Sequence, residues 1–548
     1  MTRAWAWLVA LALAGWASHG GLPPAAEGAR ILGVFGHIGK SHWDVFEPLM
    51  QELARRGHQV TVVSHFPQAA PRANYTDVSL RGSLTDFSLK GSLTYYSLKG
   101  SLTYFSPVGA TESPVDITEM KVDNMWDVYN EHLLLSQLAV TGCEVAFAHP
   151  DVQRLLRSNE TFDLLITELF TTDCYVAFAH HYNIPSIGLS SCMMMPWAYE
   201  RFGNPQNPAY IPDLFHAHGM QMSFWERWQN SWKILLDNLA YEYLYHRPSE
   251  QVVRRYFKDL PPLKEIARNV SMMFVNTHVS LSHARPYVPA VLEVGGIHLP
   301  QRKPLPKDVK EFLDGAGEEG VVYFNMGSVI RATSMAPEKR QAFLEAFGRL
   351  GRRVLWKWEE ADMPGQTPNV KTSRWLPQFD ILNHPKVKVY IGHGGLLGST
   401  EAAHAGVPMV AIPIFGDQRA NVQNLLQAGM ALKLDYHDVT ADSVLAALKE
   451  VLQNPKYREG ARRVSEAFRD RPVGPLDAAV FWTEYVLRHN GAPFLRNAVA
   501  ADLAWYQRWL LDVVAASAAA FVLAVLALRA LAARLLPHGP TAHKLKGE

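Results

Sequence analysis

The sequence predicts two doubly wound α/β domains facing each other across a cleft, with one membrane-spanning helix near the C-terminus. Three observations carry that expectation. Strand, helix and strand patterns alternate through residues 29–298 and again through 321–490, as in parallel sheets built from βαβ units. A Pro-rich stretch, "LPQRKPLPKDVKEFLDGAGEEG" (299–320), separates the two blocks as a linker. The run "VVAASAAAFVLAVLAL" (513–528) carries no charge and, within a span of 510–536, is long enough to cross a bilayer.

Taken in order, residues 1–28 read as a secretory signal. Arg3 precedes the apolar run "AWAWLVALALAGWA", and a small-residue, Pro-containing stretch follows. The mature chain opens on "RILGVFGHIGKSHWDVFEPLMQELARRGHQVTVVSHF". This reads as a strand at 31–35, a loop, an amphipathic helix at about 44–56 stopped by Gly57, and a strand at 59–64. A nine-residue tandem repeat, "SLRGSLTDF", "SLKGSLTYY", "SLKGSLTYF" (79–105), is too short for a solenoid and reads as a surface excursion. "FDLLITELFTTDCYVAFAHHYNIPSIGLS" supplies another strand, loop and helix, and 219–285 is long, aromatic and helical. The stretch "SSCMMMPWAYERFG" and the aromatic 220s suit the lining of a pocket for flat apolar molecules, or equally core packing.

Composition narrows the function. Apolar residues make up 48% and charged residues 19%, with a formal net charge of +1, so there is no footprint for a nucleic-acid partner. Three cysteines (Cys143, Cys174, Cys192) match no zinc spacing; buried free thiols and a single disulfide are equal expectations. Beyond the apolar span lie Arg534, Lys544 and Lys546, which places the 537–548 tail in the cytosol. Trp505, Tyr506 and Trp509, in the juxtamembrane 491–509, mark an interface belt. The sequons at Asn74, Asn159 and Asn269 fit a lumenal body, and the tail "KLKGE" resembles a dilysine retrieval signal of the endoplasmic reticulum membrane.

The chemistry concentrates in "WLPQFDILNHPKVKVYIGHGGLLGSTEAAHAGVPMVAIPIFGDQ" (375–418). "VKVYI" is a buried strand, Gly392 to Gly395 turn the chain, and Leu396 to Ala405 form a helix. A helix start preceded by glycines offers free N–H groups and a positive dipole end, the usual seat of a phosphate. His393 adds a donor at its mouth. Trp375 offers a flat surface for a base and Gln378 a donor and acceptor. Glu401 is placed to take ribose hydroxyls, and Asp417 with Gln418 to take those of a sugar.

In that order these residues resemble the signature of the UDP-glycosyltransferases, the family-one enzymes that include the membrane-bound glucuronosyl- and glucosyltransferases. "FNMGS" (324–328), "PLDAAVFWTEYVLRH" (475–489) and the membrane tail extend the likeness over nearly the whole chain, the tandem repeat excepted. The resemblance implies a GT-B fold of two Rossmann-like domains, acceptor-binding in 29–298 and UDP-sugar-binding in 321–490. It implies that Trp375 stacks on uracil while Gln378 contacts the nucleoside. His393, Gly394 and Gly395 would hold the pyrophosphate near Ser328, with Glu401 on ribose and Asp417 and Gln418 on the sugar. Leu397 stands where vertebrate members carry a phosphate-binding asparagine. "HGGLLGSTEA" looks more like the arthropod branch, where UDP-glucose is the usual donor. A histidine suits the base that such a transfer needs. His42 matches the family position, with His37 a rival, and Glu168 or Asp173 would orient it, Glu168 slightly preferred. The implied reaction inverts the anomeric carbon, uses the UDP-sugar as co-substrate to a small lipophilic hydroxyl acceptor, and needs no cofactor or metal. A homo-oligomer is compatible with all of this.

Overall fold

A computed structural model describes residues 28–83, 125–215, 218–328 and 330–535. The signal reading, all but the first few residues of the tandem repeat, and the C-terminal tail lie outside the described residues.

Seven strands form the first sheet: β1 (Arg30–Phe35), β2 (Gln59–Ser64), β3 (Tyr75–Ser79), β4 (Leu164–Glu168), β5 (Ser186–Ser190), β6 (Met272–Val275) and β7 (Val291–Glu293). Their order is β3-β2-β1-β4-β5-β6-β7, and every pairing is parallel. Six strands form the second: β8 (Val321–Asn325), β9 (Arg353–Lys357), β10 (Val370–Ser373), β11 (Val387–Gly392), β12 (Met409–Ala411) and β13 (Ala431–Lys433), in the order β10-β9-β8-β11-β12-β13, again all parallel. Each sheet reverses direction of growth once, between β1 and β4 and between β8 and β11. Open α/β sheets bind their ligands outside the carboxyl ends of the strands at such reversals.

The helices that position the site are α1 (Lys40–Arg55), α2 (Met125–Ala148), α3 (Phe224–Ala240), α4 (Gln378–Leu382), α5 (Leu396–Ala405), α6 (Gln418–Gln427), α7 (Pro475–Arg488), α8 (Ala498–Asp502) and α9 (Leu511–Leu535). In α1 the apolar spacing Trp43, Phe46, Leu49, Met50, Leu53 puts one stripe on the sheet, and all five are buried. The helix begins four residues earlier than its apolar pattern suggested, so His42 lies in its first turn rather than in the preceding loop. In the second domain, Val322 and Phe324 of β8 enter one core layer and Val321 and Tyr323 the other, as expected of a strand covered on both faces.

Two sequence-drawn boundaries need correction. The helix Lys307–Asp314, inside the expected linker, buries Val309 and Leu313 in the second domain's core, so the connection is shorter than 299–320. The chain also returns to the first domain before 490. Ala479, Val480 and Val486 of α7 join the first domain's core, and Glu484 receives Arg56 at 2.9 Å. Cys143 and Cys174 form a disulfide across a separation of 31 residues, leaving Cys192 as a buried free thiol. Closing a loop of that size stabilises the fold by about 4 kcal/mol through the unfolded chain's lost freedom.

The helix α9 is 25 residues long, contains an 18-residue stretch of mean hydropathy 2.4 and is unburied throughout, which fits a single-pass membrane anchor. At about 1.5 Å per residue it reaches beyond the roughly 30 Å of a hydrocarbon core.

Candidate active site

The two sheet reversals open onto one cavity of about 830 Å³ between the domains. From the first domain it is lined by His37, His42, Phe170, Ser191, Met195 and Phe215. Opposite stand Ser328, Trp375, Gln378, His393, Glu401 and Asp417. Gly395 and Gln418 also line it.

On the first-domain side, His42 Nδ1 lies 2.6 Å from Glu168 Oε1, at the carboxyl end of β4. A carboxylate oxygen only accepts, so this contact places the imidazole proton on Nδ1 and leaves Nε2 with its lone pair. No described residue hydrogen-bonds Nε2. Ser191 Oγ lies 2.8 Å from the same Nδ1 and donates to Glu168 at 3.1 Å, which steadies both groups. Glu168 is buried behind the imidazole rather than in the cavity. Phe170 meets the His42 ring edge-on at 4.8 Å, and His37 stacks on it at 3.8 Å. The rival His37 is otherwise engaged. Its Nδ1 accepts the Gly39 N–H at 2.9 Å, and burial, with His42 and His65 adding to it, pushes its pKa well down. His37, His42 and Glu168 nevertheless gather one ligating atom each within 4.8 Å, a grouping able to hold a metal ion.

Asp173 is elsewhere. Arg201 holds it at 2.6 Å and the Tyr241 hydroxyl donates to it at 2.6 Å, in a buried cluster that includes His246. Burial raises its pKa, but the Arg201 guanidinium and the His246 and Tyr241 partners outweigh this and hold it below the usual range. Of the two carboxylates left as alternatives, Glu168 contacts His42, whereas the partners of Asp173 are Arg201, Tyr241 and His246.

On the opposite side, Gly395 precedes α5 in extended conformation with no side-chain cap, and Gly395, Leu396, Leu397 and Gly398 line the cavity. The first N–H groups of that helix therefore stand at the cavity wall without a side-chain cap among the described residues. The glycines flanking His393 have a steric reason. A Cβ on Gly395 would sit 2.3 Å from His393 Nε2, and one on Gly327 would sit 2.4 Å from its Cε1. Gly394 adopts φ +77, and a Cβ there would collide with Val422 at 2.3 Å. The imidazole is thus clamped in a glycine slot beside the helix start. Burial, with Lys357 adding to it, brings its pKa down to about 4, so it is a neutral donor at physiological pH. His393 Nδ1 is buried without a hydrogen-bond partner among the described residues. These features fit an anion at the helix start.

Gln378 accepts from Asn325 at 2.6 Å and from the Tyr323 hydroxyl at 3.2 Å, and its amide nitrogen donates to Glu401. Trp375 is 69% exposed at the mouth, its face free for stacking. Gln418 spends its carbonyl on the Ile414 and Phe415 N–H groups at 2.8 and 3.2 Å. Asp417 accepts from Asn421 at 2.9 Å. Burial pushes its pKa up, with Asn421 and His42 opposing the rise, which also sets Asp417 within electrostatic reach of His42.

Burial drives the Glu401 carboxyl up to about 7, Gln378 opposing it and Asp44 and Asp380 adding to it. A folded value above the unfolded 4.5 means that protonation favours the fold. That contribution is whole below about 4.5 and is lost as pH rises through about 7. Glu401→Gln should therefore flatten the decline in melting temperature of the nucleotide-free protein across this window. A decline of unchanged slope would refute the assignment.

Several contributors escaped sequence reasoning. Ser191 lay unsingled in a stretch read as pocket lining. Lys357, which donates to Gly327 O at 2.6 Å, ends an ordinary-looking strand. Glu131 of α2 crosses the cleft to accept the Gly416 N–H, tying the loop that carries Asp417 to the first domain. Of the Met run, Met193 and Met194 are buried and only Met195 lines the cavity. The aromatic 220s line no part of it; Phe224, Trp225, Trp228 and Trp232 face outward.

Two parallel sheets whose reversals share one cleft, one of them backed by an uncapped helix start, define a glycosyltransferase of the GT-B type. The fold agrees with solved structures: a kitacinnamycin glycotransferase (TM-score 0.55, 18% identity, 83% of this chain and 99% of that one) and the calicheamicin glycosyltransferase CalG4 (0.51, 18%, 84% and 99%). Residues 34–534 match the family model described as "UDP-glucoronosyl and UDP-glucosyl transferase", and the chain belongs to that family. It is 39% identical to the UDP-glycosyltransferase UGT5 of Dactylopius coccus over 89% of this chain and 88% of that one. It is 36% identical to UDP-glucosyltransferase 2 of the same organism over 90% of each. It is also 36% identical to UDP-glucuronosyltransferase 2B14 of Oryctolagus cuniculus over 58% of this chain and 59% of that one.

Proposed function

We propose that the protein is an inverting UDP-glycosyltransferase that moves glucose from UDP-glucose to a hydroxyl group of small lipophilic acceptors, with His42 as general base. The observation that carries this reading is the His42–Glu168 contact at 2.6 Å, on the cavity wall opposite an uncapped helix start. The acceptor oxygen attacks the anomeric carbon from the first-domain side as its proton passes to His42 Nε2. The bond from that carbon to the UDP oxygen breaks on the far face, and the electron pair leaves with UDP. Glu168 holds the imidazole in the receptive tautomer and stabilises the imidazolium that forms. The N–H groups at the start of α5, with His393 and Lys357, stabilise the charge on departing UDP. Leu135, Leu138, Phe170 and Phe215 supply the apolar wall that favours a lipophilic acceptor. The reading requires no cofactor; the UDP-sugar is a co-substrate.

Glucose as donor is favoured by the similarity, over 90% of each chain, to a UDP-glucosyltransferase. The test incubates membranes carrying the full chain with phenolic acceptors and either UDP-glucose or UDP-glucuronate. Glucoside formation with stoichiometric UDP release is expected. Glucuronide alone would transfer the reading to the other donor, and no UDP release with any acceptor would overturn it.

We place the catalytic body in the lumen of the endoplasmic reticulum, as a type I single-pass protein. The exposed asparagines of all three sequons support this, as does the disulfide, which needs an oxidising compartment.

A further inference from the structure

The helix α3 is amphipathic in the reverse sense of a soluble protein's surface helix. Its polar side chains Asn230, Lys233 and Asp237 are buried. Asn230 fastens the preceding loop by donating to Pro208 O and Ile211 O and accepting the Asp213 N–H, all at 2.8 Å. Outward it turns Phe224, Trp225, Trp228, Trp232, Leu235, Leu236 and Leu239, each between 44% and 67% exposed, and Tyr243 continues the stripe at 56%. Between Phe224 and Leu239 the charged residues are Lys233 and Asp237, which are buried, and Glu226 and Arg227, which are half-buried, Glu226 closing the helix's N-terminal cap with Ser223. The spacing in steps of three and four makes this one contiguous face, well beyond the scattered apolar residues that monomeric surfaces carry.

What covers that face follows from where it sits. The helix packs on the turn Pro196–Phe202, and α8 packs on the same turn. Gly203, ending that turn, lies so close to Asn497 and Ala500 that a Cβ would meet the Asn497 carbonyl oxygen at 2.6 Å. Arg508 pairs with Glu200 of the turn, and the exposed Trp509 and Leu510 then lead directly into the anchor α9. The apolar face and the root of the membrane helix are therefore held by the same turn, Pro196–Phe202. Tryptophan and tyrosine are the residues that favour the headgroup level of a bilayer.

We propose that α3 is an interfacial helix. Its Phe224–Tyr243 face lies in the headgroup and upper acyl region of the leaflet that the anchor enters, giving the first domain a second membrane contact. The loop that Asn230 fastens carries Leu214 and Phe215 of the cavity wall, so this contact also holds that wall against the membrane surface.

The test uses the full chain in phosphatidylcholine vesicles, with Trp228→Cys or Trp232→Cys carrying an environment-sensitive fluorophore. Glu345→Cys on the second domain is the comparison, and a UDP-induced rise in melting temperature verifies folding of each variant. At 228 and 232, blue-shifted emission is expected, quenched more strongly by a spin label high on the lipid chain than by one near its end; at 345, neither. Emission at 228 and 232 like that at 345 would overturn the proposal. So would a blue shift without lipid quenching, which would assign the face to another part of this chain or to a second copy.

Discussion

Replacing His42 with alanine is expected to lower kcat by about 10²–10⁴-fold, the usual worth of a positioned general base. UDP should still raise the melting temperature as in the parent protein. The separation follows from geometry: the groups that fit the nucleotide stand on the second domain, across the cavity from His42. Glu168→Gln should be milder and differ in kind. An amide of the same shape can hold Nδ1–H through its oxygen, but it supplies no charge to stabilise the imidazolium, so kcat falls while KM for the donor holds. Ser191→Ala leaves the 2.6 Å contact in place and should cost least of the three. Steady-state kinetics with UDP release as readout decides. Full activity in His42→Ala would mean that the base is elsewhere, with His37, stacked 3.8 Å away, first in line.

Arg201→Leu should destabilise the first domain by about 3–5 kcal/mol, because it strands the Asp173 carboxylate in a buried site. Asp173 would keep the Tyr241 hydroxyl and the more distant His246, neither of which replaces a guanidinium bonded at 2.6 Å. The double replacement of Asp173 and Arg201 by leucine should recover much of the loss, since a buried pair offsets little more than its own desolvation. Urea unfolding followed by tryptophan fluorescence gives the comparison. Additive single-mutant losses would show that the two side chains do not act as a pair. The same loop carries Phe170, which packs on His42, so the single variant should also lose activity in proportion to its folded fraction.

How much of this was legible in the sequence depends on how local the signal is. The turn around His393 and the helix behind it could be read because glycine spacing, strand and helix all lie between Val387 and Ala405. The assignment of both domains as doubly wound rested on equally local alternation. Glu168 and Asp173 could not be separated, because they stand at the two ends of one short loop, Glu168 closing β4 and Asp173 five residues on. What distinguishes them is Arg201, some thirty positions later, which takes Asp173, while Glu168 meets His42; both carboxylates are buried. The aromatic 220s were misjudged for a related reason: composition shows that a helix has an apolar stripe but not which way it turns, and burial of Asn230 and Asp237 reverses the usual orientation. The return of α7 to the first domain was invisible because apolar periodicity does not say which core a helix joins.

That return has a mechanical outcome. The polypeptide leaves the first domain once and rejoins it before reaching the anchor, so the second domain is an insert held by two crossings of chain. Any change in the gap between the halves would have to be carried by those two crossings, with the half that leads into the anchor as the fixed side.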